Sequence, residues 1–121
     1  VVINELLADP LSGEKEWVEL YNGGDDAVDL AGWSLKDAAN YAGAFLSTSL
    51  PAKGYVVVEF ASKLNNGGDT VTLTDSSGVT IDTHTYSNSE DGKSWGRSPD
   101  GGSWSTDAMT PTKGASNGGS Q

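Results

Sequence analysis

The stretch EWVELYNGG, residues 16–24, decides the fold of this chain. Successive side chains of an extended chain point to opposite faces, so Val18 and Leu20 share one apolar face. The opposite face carries Trp17, Glu19 and Tyr21. A turn signal, Asn22-Gly23-Gly24, follows at once. The pattern predicts a β-strand with one face in a core and the other face in solvent.

The same alternation recurs along the chain. In GWSLKD, Trp33 and Leu35 share a face, and in TVTLTD, Val71 and Leu73 do. Glycine-rich turns separate the apolar runs, and no long window has a helical period. We predict strands at Val2–Leu7, Glu16–Tyr21, Trp33–Lys36, Ala44–Leu46, Tyr55–Phe60, Thr70–Thr74, Thr80–Tyr86 and Ser94–Arg97. This predicts an all-β sandwich of two packed, mostly antiparallel sheets with about seven to nine strands. A single helical turn is expected near 37–41.

Composition excludes several classes of function. The 121 residues suffice for one domain, and the lack of cysteine excludes disulfide scaffolds, thiol nucleophiles and cysteine-ligated metals. Seventeen acidic residues against seven basic ones give a net charge of -10. Such a surface repels phosphate backbones, so we expect no nucleic-acid partner. No apolar run is long enough to insert into a membrane, and no signal peptide is visible.

An ordered series of motifs resembles the lamin-tail domain family, in the form found in prokaryotic secreted and cell-surface proteins. The motifs run in order from Ile3-Asn4-Glu5 through Glu16–Asn22, Val28–Asp37 and Leu64–Gly78 to Ser94-x-x-Arg97, Asp100-Gly101 and Trp104. The likeness covers about residues 2–117. The chain departs from it in two places. Thr112-Lys113-Gly114 stands where such domains often have Gly directly after Thr-Pro, and His84 stands where an apolar residue is usual.

The resemblance implies an immunoglobulin-like β-sandwich over residues 1–117, with 118–121 as a flexible tail or an added end. It also implies a non-catalytic module, which in prokaryotes is often attached to secreted nucleases, other hydrolases or membrane anchors. An extracellular or cell-surface location follows from the same likeness. Similar domains of nuclear lamins bind proteins and, in some reports, DNA, a role that the charge of -10 opposes here.

The first candidate site is the second face of the opening strand, with Trp17, Glu19 and Tyr21. Two large aromatic side chains on a solvent face suggest a contact surface. In the alternative interpretation, the aromatic rings form cross-strand pairs and are covered by loops. A remote alternative is a hydrolase in which Glu19 acts as the acid, which would require a second carboxylate at a defined distance.

The second candidate is a cluster of carboxylates, Asp25, Asp26 and Asp29, whose oxygens are of the kind that calcium binds. The spacing is not that of an EF-hand loop. The alternative is a turn in which Asp29 makes an Asx-type bond ahead of the next strand.

Other polar features favour structural roles. We predict that His84 is a satisfied strand histidine, that Arg97 binds loop carbonyls or a carboxylate such as Asp69 or Asp75, and that the glycines of 65–69 form a turn. Trp95 and Trp104 are expected to close one end of the sandwich.

Three functions remain open from the sequence. The first is a binding or tethering module of a larger protein, with an unknown protein or a cell-surface polysaccharide as its ligand. The second is a structural spacer, either unaided or stabilised by calcium, and the third is a hydrolase. We expect no cofactor and a monomer for the isolated domain.

Overall fold

The computed structural model describes residues 1–8, 16–37, 42–46, 49–60, 68–87, 92–97, 101–102, 104 and 111. These residues form strands and turns and contain no helix, and so nothing among them could cross a membrane as a long apolar helix. The strands are β1 (Val2–Leu7), β2 (Glu16–Tyr21), β3 (Val28–Asp29), β4 (Trp33–Lys36), β5 (Ala42–Leu46), β6 (Ser49–Leu50), β7 (Tyr55–Phe60), β8 (Gly68–Thr74), β9 (Thr80–Ser87) and β10 (Trp95–Gly96).

Two four-stranded antiparallel sheets make up the fold. The first sheet has the order β10-β1-β2-β7, and the second has the order β5-β4-β8-β9. A short third ladder pairs β3 with β6. The predicted all-β sandwich is confirmed. Sequence patterns missed β3 and β6, because two residues are too few to show an alternation. Of the predicted helical turn at 37–41, residues 38–41 lie outside the described part of the chain.

The core lies between the two sheets. Val18 and Leu20 of the first sheet and Leu35, Val71 and Leu73 of the second are fully buried, as the alternation predicted. Each such side chain contributes about 1.5–3 kcal/mol by leaving water. Trp33 was expected in the core, but it is only half-buried and packs against the core at the first residue of β4.

A β-bulge in β1 changes which side chains reach the core. Ile3 pairs with Leu20, whereas Glu5 pairs with Glu19, so Asn4 is the extra residue in β1. Without a bulge, Ile3 and Leu6 would point to opposite faces, because they are an odd number of positions apart. The bulge places both in the core and turns Asn4 and Glu5 toward the outer face of the first sheet.

The hairpin between β8 and β9 is closed by one aspartate. The Asp75 Oδ1 atom accepts hydrogen bonds from the backbone N–H groups of Ser77, at 2.9 Å, and Val79, at 3.0 Å. Gly78 has φ of +85°, a left-handed conformation that glycine adopts without steric cost. This tight turn sets the register in which the threonines of β8 face those of β9.

Candidate functional site

The outer face of the first sheet carries the first candidate site. Trp17 is 4% exposed and Glu19 has no exposed surface, while Tyr21 is half-buried. The expectation that this face lies in solvent is therefore wrong for Trp17 and Glu19. The alternative interpretation is supported in part: Trp17 is buried, and the Tyr21 ring pairs across strands with Tyr55.

Glu19 lies in a buried polar layer that the bulge creates. The Asn4 side-chain amide donates to Glu19 Oε1 at 3.1 Å, and the Ser94 hydroxyl donates to Glu5 Oε2 at 2.7 Å. Glu5 and Glu19 are cross-strand neighbours, and Asn4, Glu5, Glu19 and Ser94 all have no exposed surface. The two carboxylates thus accept bonds from side chains of the same fold, as buried polar groups require.

This burial bears directly on the hydrolase hypothesis. A general acid must come within hydrogen-bond distance of the substrate atom that it protonates. Glu19 exposes no atom to solvent, so a dissolved substrate cannot reach its carboxylate in this conformation. Glu5, the nearest partner carboxylate in the register, is equally buried. The pair acts as a brace between β1, β2 and the segment that contains Ser94.

Gly101, which follows β10 in the chain, lies over the same outer face. The backbone N–H of Gly101 donates to Asn4 Oδ1 at 2.9 Å. A Cβ atom built on Gly101 would lie 3.6 Å from two ring carbons of Tyr21, so the Gly101 backbone rests on that ring. Tyr21 also contacts its cross-strand partner Tyr55, with ring centroids 5.1 Å apart. Sequence patterns could not show this cover, because its residues are about a hundred positions from β1.

The acidic cluster near β3 does not assemble into a metal site. Asp25 is exposed and lies 3.8 Å from the Lys53 ammonium. Asp29 Oδ1 accepts a bond from the Ala31 N–H at 3.0 Å, which confirms the Asx-type bond of the alternative interpretation. Asp26 contributes a backbone carbonyl, bound by Asn22 Nδ2 at 2.8 Å. Within the described ranges, no three His, Asp or Glu side chains are placed to hold a metal ion.

Arg97 ties the two sheets together at one edge. Its guanidinium donates to the carbonyls of Ile3 and Gly102, both at 2.8 Å, and to Asp82 Oδ2 at 3.0 Å. The predicted bonding to a loop carbonyl is confirmed for Gly102, whereas the Ile3 carbonyl belongs to β1. The carboxylate is Asp82 rather than Asp69 or Asp75. Asp82 Oδ2 also accepts the backbone N–H of Ile3 at 2.9 Å, so the ion pair joins β9 to β1.

His84 and Trp104 stack beside this ion pair. Their ring centroids are 3.5 Å apart and their planes differ by 8°, and the Arg97 guanidinium carbon lies 5.1 Å from the Trp104 centroid. Burial, followed by the Arg97 charge, lowers the pKa of His84 to about 4, against an opposing effect of Asp82. The imidazole is neutral at pH 7 and serves as a stacking partner.

The glycine segment at 65–69 is only partly described, since 65–67 lie outside the described residues. Asp69 is buried, and its Oδ1 atom accepts the Thr70 N–H at 2.8 Å.

Burial, followed by the charge of Asp69, raises the pKa of the cross-strand neighbour Tyr86 above its usual range.

Comparison with known proteins agrees with the fold and with the motifs. The family model described as Lamin Tail Domain matches residues 1–88. No curated protein and no solved structure matches the chain. The matched part contains β1 to β9, including the bulge, the buried Glu5 and Glu19, and the paired sheets. The chain therefore belongs to the lamin tail domain family.

Proposed function

We propose that this domain is a non-catalytic binding or tethering module of a larger secreted or cell-surface protein. Lamin tail domains are non-enzymatic immunoglobulin-like domains, which supports a binding or structural role. The observation that carries the proposal is the complete burial of Glu5 and Glu19, each hydrogen-bonded within the fold. Both carboxylates that were considered for acid–base chemistry therefore stabilise the fold instead.

Two further side chains that could take part in chemistry, His84 and Arg97, are also bound within the fold. His84 stacks on Trp104 with a depressed pKa, and Arg97 is bound to Asp82 and to two carbonyls. What remains for function is the exposed surface of strands and loops. The charge of -10 favours a neutral or cationic ligand, such as a protein or a cell-surface polysaccharide, over nucleic acid. The same charge opposes self-association at low salt, which supports a monomer.

A second candidate function is a structural spacer. The observation that favours it is the Arg97–Asp82–Ile3 connection, which locks the two sheets together at one edge. Such a lock suits a domain that transmits force or sets a distance. The calcium-stabilised form of this hypothesis requires the melting temperature to rise when calcium is added in excess, because a ligand that binds only the folded state stabilises it.

A retention assay tests the tethering proposal. The domain is fused to a fluorescent protein, and its retention on insoluble cell-wall material, cellulose and chitin is compared with that of the fluorescent protein alone. We expect retention on at least one surface without release of soluble products. Retention equal to that of the fluorescent protein on every surface would favour the spacer. Product release that is lost in a Glu19→Gln variant would establish an enzyme instead.

A further inference from the structure

The outer face of the second sheet carries a row of paired threonines. Thr70 and Thr72 of β8 lie opposite Thr85 and Thr83 of β9 in the ladder. Their hydroxyl oxygens are 2.8 Å apart in the Thr70–Thr85 pair and 3.2 Å apart in the Thr72–Thr83 pair. We call Thr70, Thr72, Thr74, Thr83 and Thr85 the threonine face. Thr83 and Thr85 are exposed, and the other three are half-buried.

The hydroxyl pairs fix the threonine side chains but leave hydrogen-bonding groups for a ligand. Threonine has few χ1 rotamers on a strand, and a hydroxyl–hydroxyl bond fixes the rotamer further. Two paired hydroxyls use one of their two protons in the mutual bond, so the Thr70–Thr85 pair retains one O–H donor for a ligand. The Thr83 hydroxyl also contacts the Val71 carbonyl at 3.2 Å, and the oxygens of the Thr72–Thr83 pair retain lone pairs as acceptors.

The threonine face lacks the acidity of the rest of the chain. Its neighbours in the register are Ser34 and Lys36 of β4, which pair with Thr74 and Thr72. Among the described side chains of this face, none is a carboxylate, although the chain carries seventeen acidic residues. Asp82 points away from it, toward Arg97. Ile81, 38% exposed, adds an apolar side chain on β9.

We infer that the threonine face binds a neutral polysaccharide chain. An uncharged, hydroxyl-bearing ligand matches an array that offers donors, acceptors and methyl groups and in which Lys36 is the one charged side chain among the described residues. An anionic glycan or a nucleic acid is repelled by the net charge of -10. The strong contacts of protein interfaces come mostly from Trp, Tyr and Arg, with threonine under-represented. This inference rests on the proposed tethering function and names its ligand class.

Adsorption isotherms of the fluorescent fusion on microcrystalline cellulose and on chitin beads test the inference, with calcium alginate beads as the anionic comparison. The variant Thr83→Val/Thr85→Val keeps the shape and branching of both side chains but removes both hydroxyls. We expect it to bind about tenfold more weakly, as for the loss of two or more ligand hydrogen bonds. The control Ser49→Ala removes an exposed hydroxyl on β6, outside the second sheet, and should stay within about twofold of the wild type.

A second measurement does not depend on the variants. Soluble oligosaccharides of the glycan that binds are titrated into ¹⁵N-labelled wild-type domain, and amide shifts are expected on β8 and β9 but not on β2. Several results would overturn the inference: equal binding by wild type and the Val/Val variant, shifts confined to other strands, stronger binding to alginate, or no binding to cellulose and chitin.

The outcomes also separate the two proposals. If the fusion is retained on cell-wall material but the Val/Val variant is retained equally, tethering stands and the threonine face is not its site. If retention needs the threonine face but is destroyed by protease treatment of the surface, the ligand is a protein and the polysaccharide assignment fails. If no surface retains the wild type, both proposals fail.

Discussion

Replacing Arg97 with methionine tests the connection between the two sheets. Methionine keeps an unbranched side chain near Trp104 but removes the guanidinium. The change deletes the bonds to the Ile3 and Gly102 carbonyls and leaves the Asp82 carboxylate without its cation. Because the Arg97 and Asp82 side chains are only 16% and 17% exposed, water replaces these bonds incompletely.

The expected loss of stability follows from these contacts. Hydrogen bonds to a charged donor contribute about 1.5–3 kcal/mol each, and the partial exposure and shared geometry reduce the sum of the three. We expect the free energy of unfolding to fall by about 3 kcal/mol. With an unfolding entropy near 2.1 cal/mol/K per residue, a chain of this length should melt about 12 °C lower.

Urea unfolding followed by tryptophan fluorescence, together with thermal scans, measures this loss. Arg97→Lys keeps the charge but not the planar guanidinium with its several donors, so it should recover about half of the stability that Arg97→Met loses. Lys93→Met removes one exposed cation as a control for net charge and should change stability by less than about 0.5 kcal/mol. A double-mutant cycle with Asp82→Asn should give a coupling of about 1–2 kcal/mol. A loss below about 1 kcal/mol for Arg97→Met would refute the reasoning.

Three further predictions concern other parts of the fold. Glu19→Ala removes the carboxylate that accepts the Asn4 amide bond and opens a cavity, so the free energy of unfolding in urea should fall by about 2–4 kcal/mol. If Glu19 were exposed, the same change would cost almost nothing. The single His84 imidazole should titrate near pH 4 by NMR. Because its folded pKa lies below the unfolded value of 6.5, its contribution to stability is full above about pH 6.5 and is lost, by on the order of 1–2 kcal/mol, as the pH falls toward 4. A His84→Gln variant should lack this pH-dependent loss. Gly32→Ala, at φ of +82° and with its Cβ 3.0 Å from the Ser76 Cβ, should lower the melting temperature through a loss of about 1–2 kcal/mol, and an unchanged melting temperature would contradict the strained conformation.

Local patterns were enough to predict eight of the ten strands of the described residues and most of the core-facing residues. Val18, Leu20, Leu35, Val71 and Leu73 could be placed in the core because alternation between two faces is a property of each strand alone. The family could also be identified from the order of its motifs.

What covers the other face of each sheet was decided by tertiary structure. The sequence predicted a wet face for Trp17 and Glu19, but both are buried. Glu19 accepts a bond from the bulge residue Asn4, which itself accepts a bond from the distant Gly101. In the second sheet, alternation places the threonines of β8 on the face opposite Val71 and Leu73, but only the strand register shows that they lie against the threonines of β9. Alternation divides a strand into two faces, whereas contacts between residues distant in sequence determine which of those faces meets water.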